Sequence, residues 1–319
     1  MGFMMIFIKV LFVSGFFMLL SPIILAANCA DKVVGCKFFS DPPLVPEEIV
    51  NNFLSSYTAI EKEAIARDYR NIRELCLAQA RKNQQRLIYV ATAGGPGGGK
   101  STILEAYLRD HPGFVYIDPD QRALKLMINT YVQELNNYVL SSDPDYSSIL
   151  TAAYTKWRGA SNYIADSLLN AVYGEGLAIA HGTTSTNKNM PILYQKLKGR
   201  GYKIILLLCG STDENRQRAV ENRKVKQGVV QSTNEDVKNK GKMFFENLPI
   251  YFKFADEIKL FWVDDFSLGW VMVGEYSKDS GFKKTDQSFD KFKNAYEEFR
   301  KENVSKNLPS FNDLLVMNS

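Results

Sequence analysis

The chain has 319 residues, of which 45% are hydrophobic and 23% are charged. This is the composition of a folded globular protein, with enough length for one large α/β domain with extensions or for two small domains. Its 39 basic and 35 acidic residues leave a net charge of +4, too small an excess to indicate a nucleic-acid-binding protein, and its four cysteines show no zinc-ligand spacing.

Residues 1–27 have the layout of a targeting segment. One charged residue, Lys9, precedes an apolar run that begins at Val10 and closes on two alanines. This order predicts a cleaved signal peptide and a secreted or exported protein. The stretch is also long enough to cross a bilayer of about 30 Å, so an uncleaved membrane anchor is the alternative, as is a translation start further along the chain. Cys29 and Cys36, just beyond it, could pair in an oxidising compartment.

Residues 28–85 are predicted to form a loop followed by a helical extension. A proline-rich stretch at 41–46 ends in Pro46, which two glutamates follow, a pattern typical of a helix start. Apolar residues then recur at helical spacing up to about Gln84, which indicates one or two amphipathic helices and predicts burial of Cys76. These helices could dock on the rest of the chain or on a protein partner.

From residue 86 the hydrophobic pattern changes to short apolar runs that alternate with helical stretches. The predicted strands are Leu87–Ala91, Phe114–Ile117, Leu177–Ala180, Ile204–Leu208 and Ile258–Val263. The predicted helices are Thr102–Arg109, Gln121–Asn137, Ala160–Tyr173, Met190–Lys198 and Glu214–Arg223. This alternation predicts an α/β domain over residues 86–265, a parallel sheet with helices on both faces, and ligands bind such sheets beyond the carboxyl ends of the strands. Residues 266–319 are predicted to add a strand and a helix, Trp270–Gly274 and Phe289–Phe299.

The segment after the first predicted strand fits the phosphate-binding pattern G-x-x-x-x-G-K-[ST]. The predicted nucleotide-binding residues are Gly94, Gly95, Pro96, Gly97, Gly98, Gly99, Lys100, Ser101 and Thr102. Glycines let successive N–H groups converge on phosphate oxygens, and the helix that follows adds the positive end of its dipole. Lys100 is expected to reach the β- and γ-phosphates and the Ser101 hydroxyl to bind Mg²⁺, which predicts ATP or GTP as the ligand. The alternative, a flexible linker, would not need Lys100 and Ser101 at a helix start.

Two aspartates, Asp118 and Asp120, end the second predicted strand. They fall on the same rim of the sheet as the phosphate-binding segment, where a carboxylate could accept the proton of an acceptor hydroxyl. One of them is therefore the candidate catalytic base. The alternative for either is that it caps the helix predicted to begin at Gln121, since aspartate is a preferred N-cap.

The third predicted strand ends in a polar run, from His181 through Thr183 to Thr186. Its hydroxyl groups would suit a polar, hydroxylated acceptor. For Ser185 and Thr186 turn or N-cap chemistry is the favoured interpretation.

A basic helix follows the fourth predicted strand. Arg216 and Arg223 lie seven residues apart and so on one helical face, where guanidinium groups could meet the charge of a transferring phosphoryl group. A solvated basic face is the alternative, although the position of Arg223 in the chain favours a role in transfer.

The ordered set of these segments resembles the zeta toxin family of P-loop kinases over residues 86 to 265. The resemblance is carried by Gly94–Ser101, Tyr116–Asp120, His181–Thr183, Glu221–Arg223, Asn247–Pro249 and Ala255–Glu257. It implies a P-loop kinase fold and an enzyme that uses ATP and Mg²⁺ to phosphorylate the 3′-hydroxyl of the sugar in UDP-N-acetylglucosamine, the activity by which these toxins poison cell-wall synthesis.

The resemblance also implies roles for individual residues. Lys100 becomes the phosphate-binding lysine, Ser101 the Mg²⁺ ligand, Asp120 the catalytic base, Thr183 a substrate contact and Arg223 the first arginine of a lid over residues 213–242.

Three positions depart from the family pattern. His181 stands where the family has glutamate, the second lid arginine has no counterpart other than Lys226, and Asp166 is the nearest carboxylate to an expected acidic substrate contact. The predicted acceptor-binding residues are Asp118, Asp166, His181 and Thr183.

The sequence therefore predicts an ATP-dependent small-molecule kinase, a phosphotransferase with an alcohol group as acceptor. Two alternatives stay open: a kinase of another hydroxyl, such as that of an antibiotic, a nucleoside or a polynucleotide end, or an exported nucleotide-binding effector that transfers nothing. Because ATP is scarce outside the cytosol, the leader implies either action inside another cell or an anchored domain on the cytoplasmic side.

Overall fold

The computed structural model of the protein describes residues 42–83, 87–139, 146–227, 231–265 and 267–317. The predicted signal peptide or anchor and the possible Cys29–Cys36 pair lie outside these ranges. Within them, no helix has both the length and the hydropathy needed to cross a membrane.

A seven-stranded sheet forms the centre of the structure, in the order β2-β3-β1-β4-β5-β6-β7. The strands are β1 Ile88–Ala93, β2 Val115–Ile117, β3 Ile179–His181, β4 Lys203–Ser211, β5 Glu257–Val263, β6 Val271–Ser277 and β7 Gly281–Lys284. The first five are parallel, and β6 and β7 continue the sheet antiparallel to β5. All five predicted strands are confirmed, and the predicted C-terminal strand extends the sheet.

Twelve α-helices are described around this sheet. They are α1 Glu47–Asn52, α2 Ala59–Asn83, α3 Lys100–Asp110, α4 Leu124–Leu126, α5 Tyr131–Val139, α6 Tyr146–Gly174, α7 Met190–Gly199, α8 Asp213–Gln227, α9 Asn234–Glu246, α10 Leu248–Phe254, α11 Phe289–Glu302 and α12 Phe311–Val316. Helices cover both faces, because Tyr89 and Ala91 pack into one hydrophobic cluster whereas Val90, between them, packs with Ile103 of α3 in another. The predicted α/β fold is confirmed.

The single helix predicted over Gln121–Asn137 is wrong. The chain instead forms a π-helical turn, Pro119–Ala123, then α4, a loop and α5. The buried carboxylate of Asp68 accepts hydrogen bonds from Asn129 N and Nδ2, at 2.9 and 2.8 Å, and from Thr130 Oγ1 at 2.7 Å. A buried charge needs such partners, so this distant contact fixes the loop and ends the helix.

Helix α6 is much longer than the predicted Ala160–Tyr173, since it runs from Tyr146 to Gly174 and contains Gly159. It packs against α1, α2 and the π-helical turn, and so links the N-terminal helices to the carboxyl end of β2. Residues 41–319 form one compact unit. In that unit Cys76 is buried, as predicted, and so is Cys209.

Candidate functional site

The phosphate-binding segment forms a loop between β1 and the first turn of α3. Gly97 and Gly99 have φ angles of 79° and 76°, in the left-handed region that favours glycine. A Cβ atom on Gly97 would also lie 2.3 Å from the carbonyl oxygen of Arg216, and one on Gly94 would lie 2.5 Å from that of Cys209. The glycines are therefore required by close main-chain contacts as well as by backbone conformation.

Lys100 begins α3 and folds back over this loop. Its Nζ atom donates a hydrogen bond to the carbonyl oxygen of Gly95 at 2.8 Å. Burial lowers the pKa of Lys100 to about 8, so the side chain is mostly charged at neutral pH and sits in surroundings where a phosphate would offset its desolvation. The hydroxyl of Ser101, next in sequence, makes no hydrogen bond to any described residue and lies on the wall of the cleft.

Asp118 caps the π-helical turn, one of the two roles that its sequence position allowed. Its Oδ1 accepts hydrogen bonds from the N–H groups of Asp120 and Gln121, both at 2.8 Å. Its other oxygen packs so closely on Gly182 that a Cβ atom there would lie 2.3 Å away. Burial raises the pKa of this carboxyl group, although the hydrogen bonds from the two N–H groups oppose the shift.

Asp120, in contrast, takes no capping role and points to α6. Its Oδ1 accepts a hydrogen bond from Tyr154 Oη at 3.1 Å and pairs with Arg158 Nε at 3.0 Å. Tyr154 and Arg158 are site residues that the sequence analysis missed, because the helix was predicted to start only at Ala160. Their spacing of four residues, which places both on one helical face, was the available signal.

The segment after β3 is hydrogen-bonded to the end of β1 and to the phosphate-binding loop. Thr92 Oγ1 donates to the Thr183 carbonyl oxygen at 2.8 Å, and Thr184 O accepts from Gly94 N at 3.1 Å. Ser185, with a φ of 53°, donates through Oγ to the Thr92 carbonyl oxygen at 2.8 Å. Ser185 therefore forms the predicted turn, and these hydrogen bonds hold the end of β1 against the segment that follows β3. The N-cap of α7 is Asn189.

His181 lies at the end of β3 in the wall of the cleft. Burial lowers its pKa to about 4, so the ring is neutral at neutral pH. Its Nδ1 atom lies 2.8 Å from Tyr89 Oη. The pKa of Tyr89 is raised by burial, so the hydroxyl stays protonated, and when it donates to Nδ1 the ring proton is on Nε2.

Asp166 lies two turns beyond Arg158 on α6 and also lines the cleft. Among the described residues it has no hydrogen-bond or ion-pair partner within contact distance. Burial raises its pKa to about 6, with Arg158 opposing the shift. A buried carboxyl group without a partner is costly to ionise, so its retention here marks it as a candidate ligand contact.

The two arginines of α8 have different environments. Arg216 is only 2% exposed, donates from Nη1 to the Ser211 carbonyl oxygen at 2.5 Å and pairs with Asp213. Arg223 lines the cleft and donates to Gln231 Oε1 at 3.0 Å. Lys240 of α9, a cation that the sequence analysis missed, lines the same cleft, whereas the side chain of Lys226 lies outside the described residues.

One cleft of about 830 Å³ brings these groups together, a volume within the usual range for ligand sites. The predicted site residues in its lining are Pro96, Gly97, Gly99, Lys100, Ser101, Asp118, Asp120, Asp166, His181, Thr183 and Arg223. Gly94, Gly95 and Gly98 are buried residues of the loop that do not line the cleft, and Thr102 is exposed on α3. The far wall, which no motif predicted, comes from the N-terminal segment and includes Leu44, Ile49 and Phe53. No group of three or more metal-ligating side chains occurs in the described ranges.

No family model and no curated protein matches the sequence. The fold does match solved structures. A chain in the crystal structure of AvrRxo1-ORF1:-ORF2 with ATP has a TM-score of 0.53 at 14% identity, over 77% of this chain and 75% of that chain. A crystal structure of AvrRxo1-ORF1:AvrRxo1-ORF2 with sulphate ions gives 0.53 at 14% identity, over 86% and 92%. A structure of the PezAT chromosomal toxin-antitoxin system of Streptococcus pneumoniae gives 0.47 at 17% identity, over 77% and 98%. The likeness to the AvrRxo1 structures shows a shared fold.

Proposed function

We propose that the protein is an ATP-dependent kinase that transfers a phosphoryl group to a hydroxyl of a small-molecule acceptor. The observation that supports this most is that Lys100 and Ser101 lie in one continuous cleft with the carboxylate of Asp120. Transfer is accelerated when the bound phosphates and a proton acceptor for the attacking hydroxyl are held in one site. A sugar nucleotide such as UDP-N-acetylglucosamine is the first acceptor to test, because the motifs resemble those of the zeta toxins.

The residues of the nucleotide half would act mainly by charge and orientation. Lys100 would exchange the carbonyl oxygen of Gly95 for phosphate oxygens, and the N–H groups of the loop would hold the remaining phosphate oxygens. Ser101 fits a Mg²⁺ ion, since oxygen ligands suit this ion and its hydroxyl has no competing partner in the described chain. Bound there, Mg²⁺ would neutralise charge on the β- and γ-phosphates.

The residues of the acceptor half would position and deprotonate the hydroxyl. Asp120 would accept the proton while Tyr154 and Arg158 fix its orientation. Arg223 and Lys240, on the two helices of the lid, would meet the charge that develops on the transferring group. Lys240 takes this role as a point charge, because a lysine cannot bind bidentately.

The substitution Asp120→Asn tests the assignment of the base. It keeps the size of the side chain and removes the proton acceptor, so we expect transfer to fall by about 10²- to 10⁴-fold while Mg²⁺-ATP affinity changes little. Calorimetry measures the binding and the release of ADP measures transfer. Asp110→Asn, on the exposed end of α3, is the matched control. Full transfer by Asp120→Asn would rule out this base.

The acceptor is tested with purified protein, Mg²⁺-ATP and separate panels of UDP-sugars, nucleosides, aminoglycoside antibiotics and polynucleotide ends. ADP release stimulated by UDP-N-acetylglucosamine supports the preferred acceptor, and stimulation by another panel replaces it. Tight ATP binding without stimulation by any panel favours a nucleotide-binding effector. In that case the exposed side chains of Ile60 and Leu75 on α2, 80% and 54% exposed, are the first surface on which to look for a protein partner.

The leader would send this kinase out of the cytosol in which ATP is abundant. The proposal therefore includes export, with action inside a second cell. Fractionation of producing cells tests it, and recovery of the full-length chain in the membrane fraction would favour the anchored alternative.

A further inference from the structure

A tyrosine of the N-terminal segment is hydrogen-bonded to the main chain of helix α6. Tyr57 Oη donates to the Lys156 carbonyl oxygen at 2.5 Å and accepts from the Ala160 N–H group at 3.0 Å. These two main-chain groups are four residues apart, the spacing of a hydrogen-bonded pair in an α-helix. The hydroxyl thus binds both ends of the helical turn formed by residues 156–160.

Several neighbours hold this hydroxyl in place. The ring of Tyr57 stacks on that of Trp157, with centroids 5.6 Å apart and an interplanar angle of 12°. Gly159 leaves the space that it needs, because a Cβ atom there would lie 3.1 Å from Tyr57 Oη and 3.1 Å from the Phe53 carbonyl oxygen. Tyr57 is 8% exposed, and burial raises its pKa, so the hydroxyl keeps the proton that it donates.

This turn lies at the two side chains that contact the candidate base. Tyr154 and Arg158 are four residues apart on α6, and both reach Oδ1 of Asp120, at 3.1 and 3.0 Å. The turn that Tyr57 binds runs from residue 156 to residue 160 and so contains Arg158 but not Tyr154. The position of Arg158 relative to Tyr154 therefore depends on how Tyr57 holds this turn.

We propose that Tyr57 is a positioning residue for phosphoryl transfer, which sets Arg158 against Asp120 by holding the turn of residues 156–160 in place; this rests on the proposed kinase function. Without its hydroxyl, the Lys156 carbonyl and the Ala160 N–H group lose this partner and the turn loses its attachment to the N-terminal segment. The turn can then shift with Arg158 on it, so the carboxylate of Asp120 loses one of its two contacts.

This assignment gives the N-terminal segment a direct part in the acceptor half of the site. The same segment supplies Ile49 and Phe53 to the cleft wall. It is fixed to α6 a second time by Asn170, which accepts from Val45 N at 2.8 Å and donates to Val45 O at 2.9 Å. A kinase domain cut to begin at residue 86 would therefore lack the contact that orients its base.

The substitution Tyr57→Phe removes the hydroxyl and keeps the stacked ring. With the acceptor identified by the panels, we expect kcat to fall by about 10- to 100-fold, because small misplacements of catalytic groups have effects of this size, while KM for ATP stays unchanged. Tyr69→Phe is the matched control. Tyr69 Oη, on α2, also donates to a carbonyl of α6, that of Ser167 at 3.4 Å, without displacing any contact of Asp120.

Gly159→Ala provides a second, independent variant, since its Cβ atom would push the hydroxyl away from the main chain of α6. Crystal structures of both variants give a readout that does not need activity: the distance from Arg158 Nε to Asp120 Oδ1 should lengthen in each and stay near 3.0 Å in Tyr69→Phe.

Two results would overturn the proposal: an unchanged Arg158–Asp120 contact in Tyr57→Phe, or equal losses of kcat in the Tyr57 and Tyr69 variants. If the wild-type chain transfers to no acceptor, the proposed function fails first. The structural readout then still decides whether Tyr57 sets the position of Arg158.

Discussion

The two halves of the cleft are built in different ways. The nucleotide half is one contiguous segment, residues 94–101, whose main chain supplies most of the polar groups and whose shape depends on close main-chain contacts such as that of Gly97 with Arg216. The acceptor half is assembled from side chains of several distant segments, among them Asp120, Arg158 and Asn170, and each is held by a contact made far along the chain. Substitutions within residues 94–101 should therefore impair the nucleotide half, whereas substitutions far from the cleft should impair the acceptor half.

Among the substitutions that remain to be considered, the largest effect is expected from Lys100→Met, which breaks the nucleotide half alone. Removing the ammonium group that would meet the β- and γ-phosphates should lower transfer by about 10²- to 10³-fold and weaken Mg²⁺-ATP binding in calorimetry. Folding should be preserved, because burying the charge of Lys100 is itself unfavourable. Lys238→Met, an exposed lysine of α9, should behave as wild type. Unchanged ATP affinity in Lys100→Met would remove the basis for the nucleotide half.

A smaller and pH-dependent effect is expected from Asp166→Asn in the acceptor half. The pKa of Asp166 is about 6 in the folded protein against 3.8 for an unperturbed group, so the folded state is penalised for ionising it as the pH rises through this window. The amide removes the penalty and should stabilise the protein by about 2–3 kcal/mol at about pH 7.5, but by only about 1 kcal/mol at about pH 4.5.

Denaturant unfolding at the two pH values measures this difference, and each pH serves as the control for the other. A stabilisation that is the same at both would mean that ionisation of Asp166 is not the cause. If the variant is more stable at neutral pH yet less active, the carboxylate is kept for ligand contact at a cost in stability.

The smallest effect is expected from Asn170→Ala, which breaks the acceptor half from a distance. It removes both hydrogen bonds to the main chain of Val45 and should destabilise the protein by about 1–2 kcal/mol. Hydrogen exchange of residues 42–53 should speed up while ATP affinity stays the same. Asn222→Ala, at an exposed position of α8, controls for the better helix propensity of alanine. Slow exchange of residues 42–53 in Asn170→Ala would mean that other contacts hold the segment.

The sequence was sufficient to predict the nucleotide half because its determinants are local. A glycine pattern, a lysine and a hydroxyl at the start of a helix specify the loop, and continuous apolar runs predict strands buried on both faces. Asp118 and Asp120 could be placed on the rim in the same way. Only the structure shows which aspartate is the N-cap. Asp118 caps the π-helical turn, and Asp120 lies in the cleft and pairs with Arg158.

The acceptor half could not be predicted, because its determinants are contacts between distant residues. The helix was predicted to begin at Ala160, yet α6 continues through Gly159, which leaves space for Tyr57 from about a hundred positions earlier. Asp68 similarly ends the helix before residue 129 through a contact sixty-one positions away. Hydrophobic periodicity depends only on residues that are near each other in sequence. It therefore predicts neither of these two contacts, nor the positions of the residues that depend on them.

The arginine next to the phosphate-binding loop, Arg216, limits the space at nearby glycines in two different ways. A side chain on Gly97 would collide with the main-chain oxygen of Arg216, which any residue at position 216 would present. A side chain on Gly241 would instead collide with the guanidinium group itself, 1.9 Å from Nη2. Over evolutionary time, Gly97 should therefore stay glycine whatever residue stands at position 216, whereas Gly241 can change once a shorter residue replaces Arg216. Homologous sequences should then show positions 216 and 241 varying as a pair.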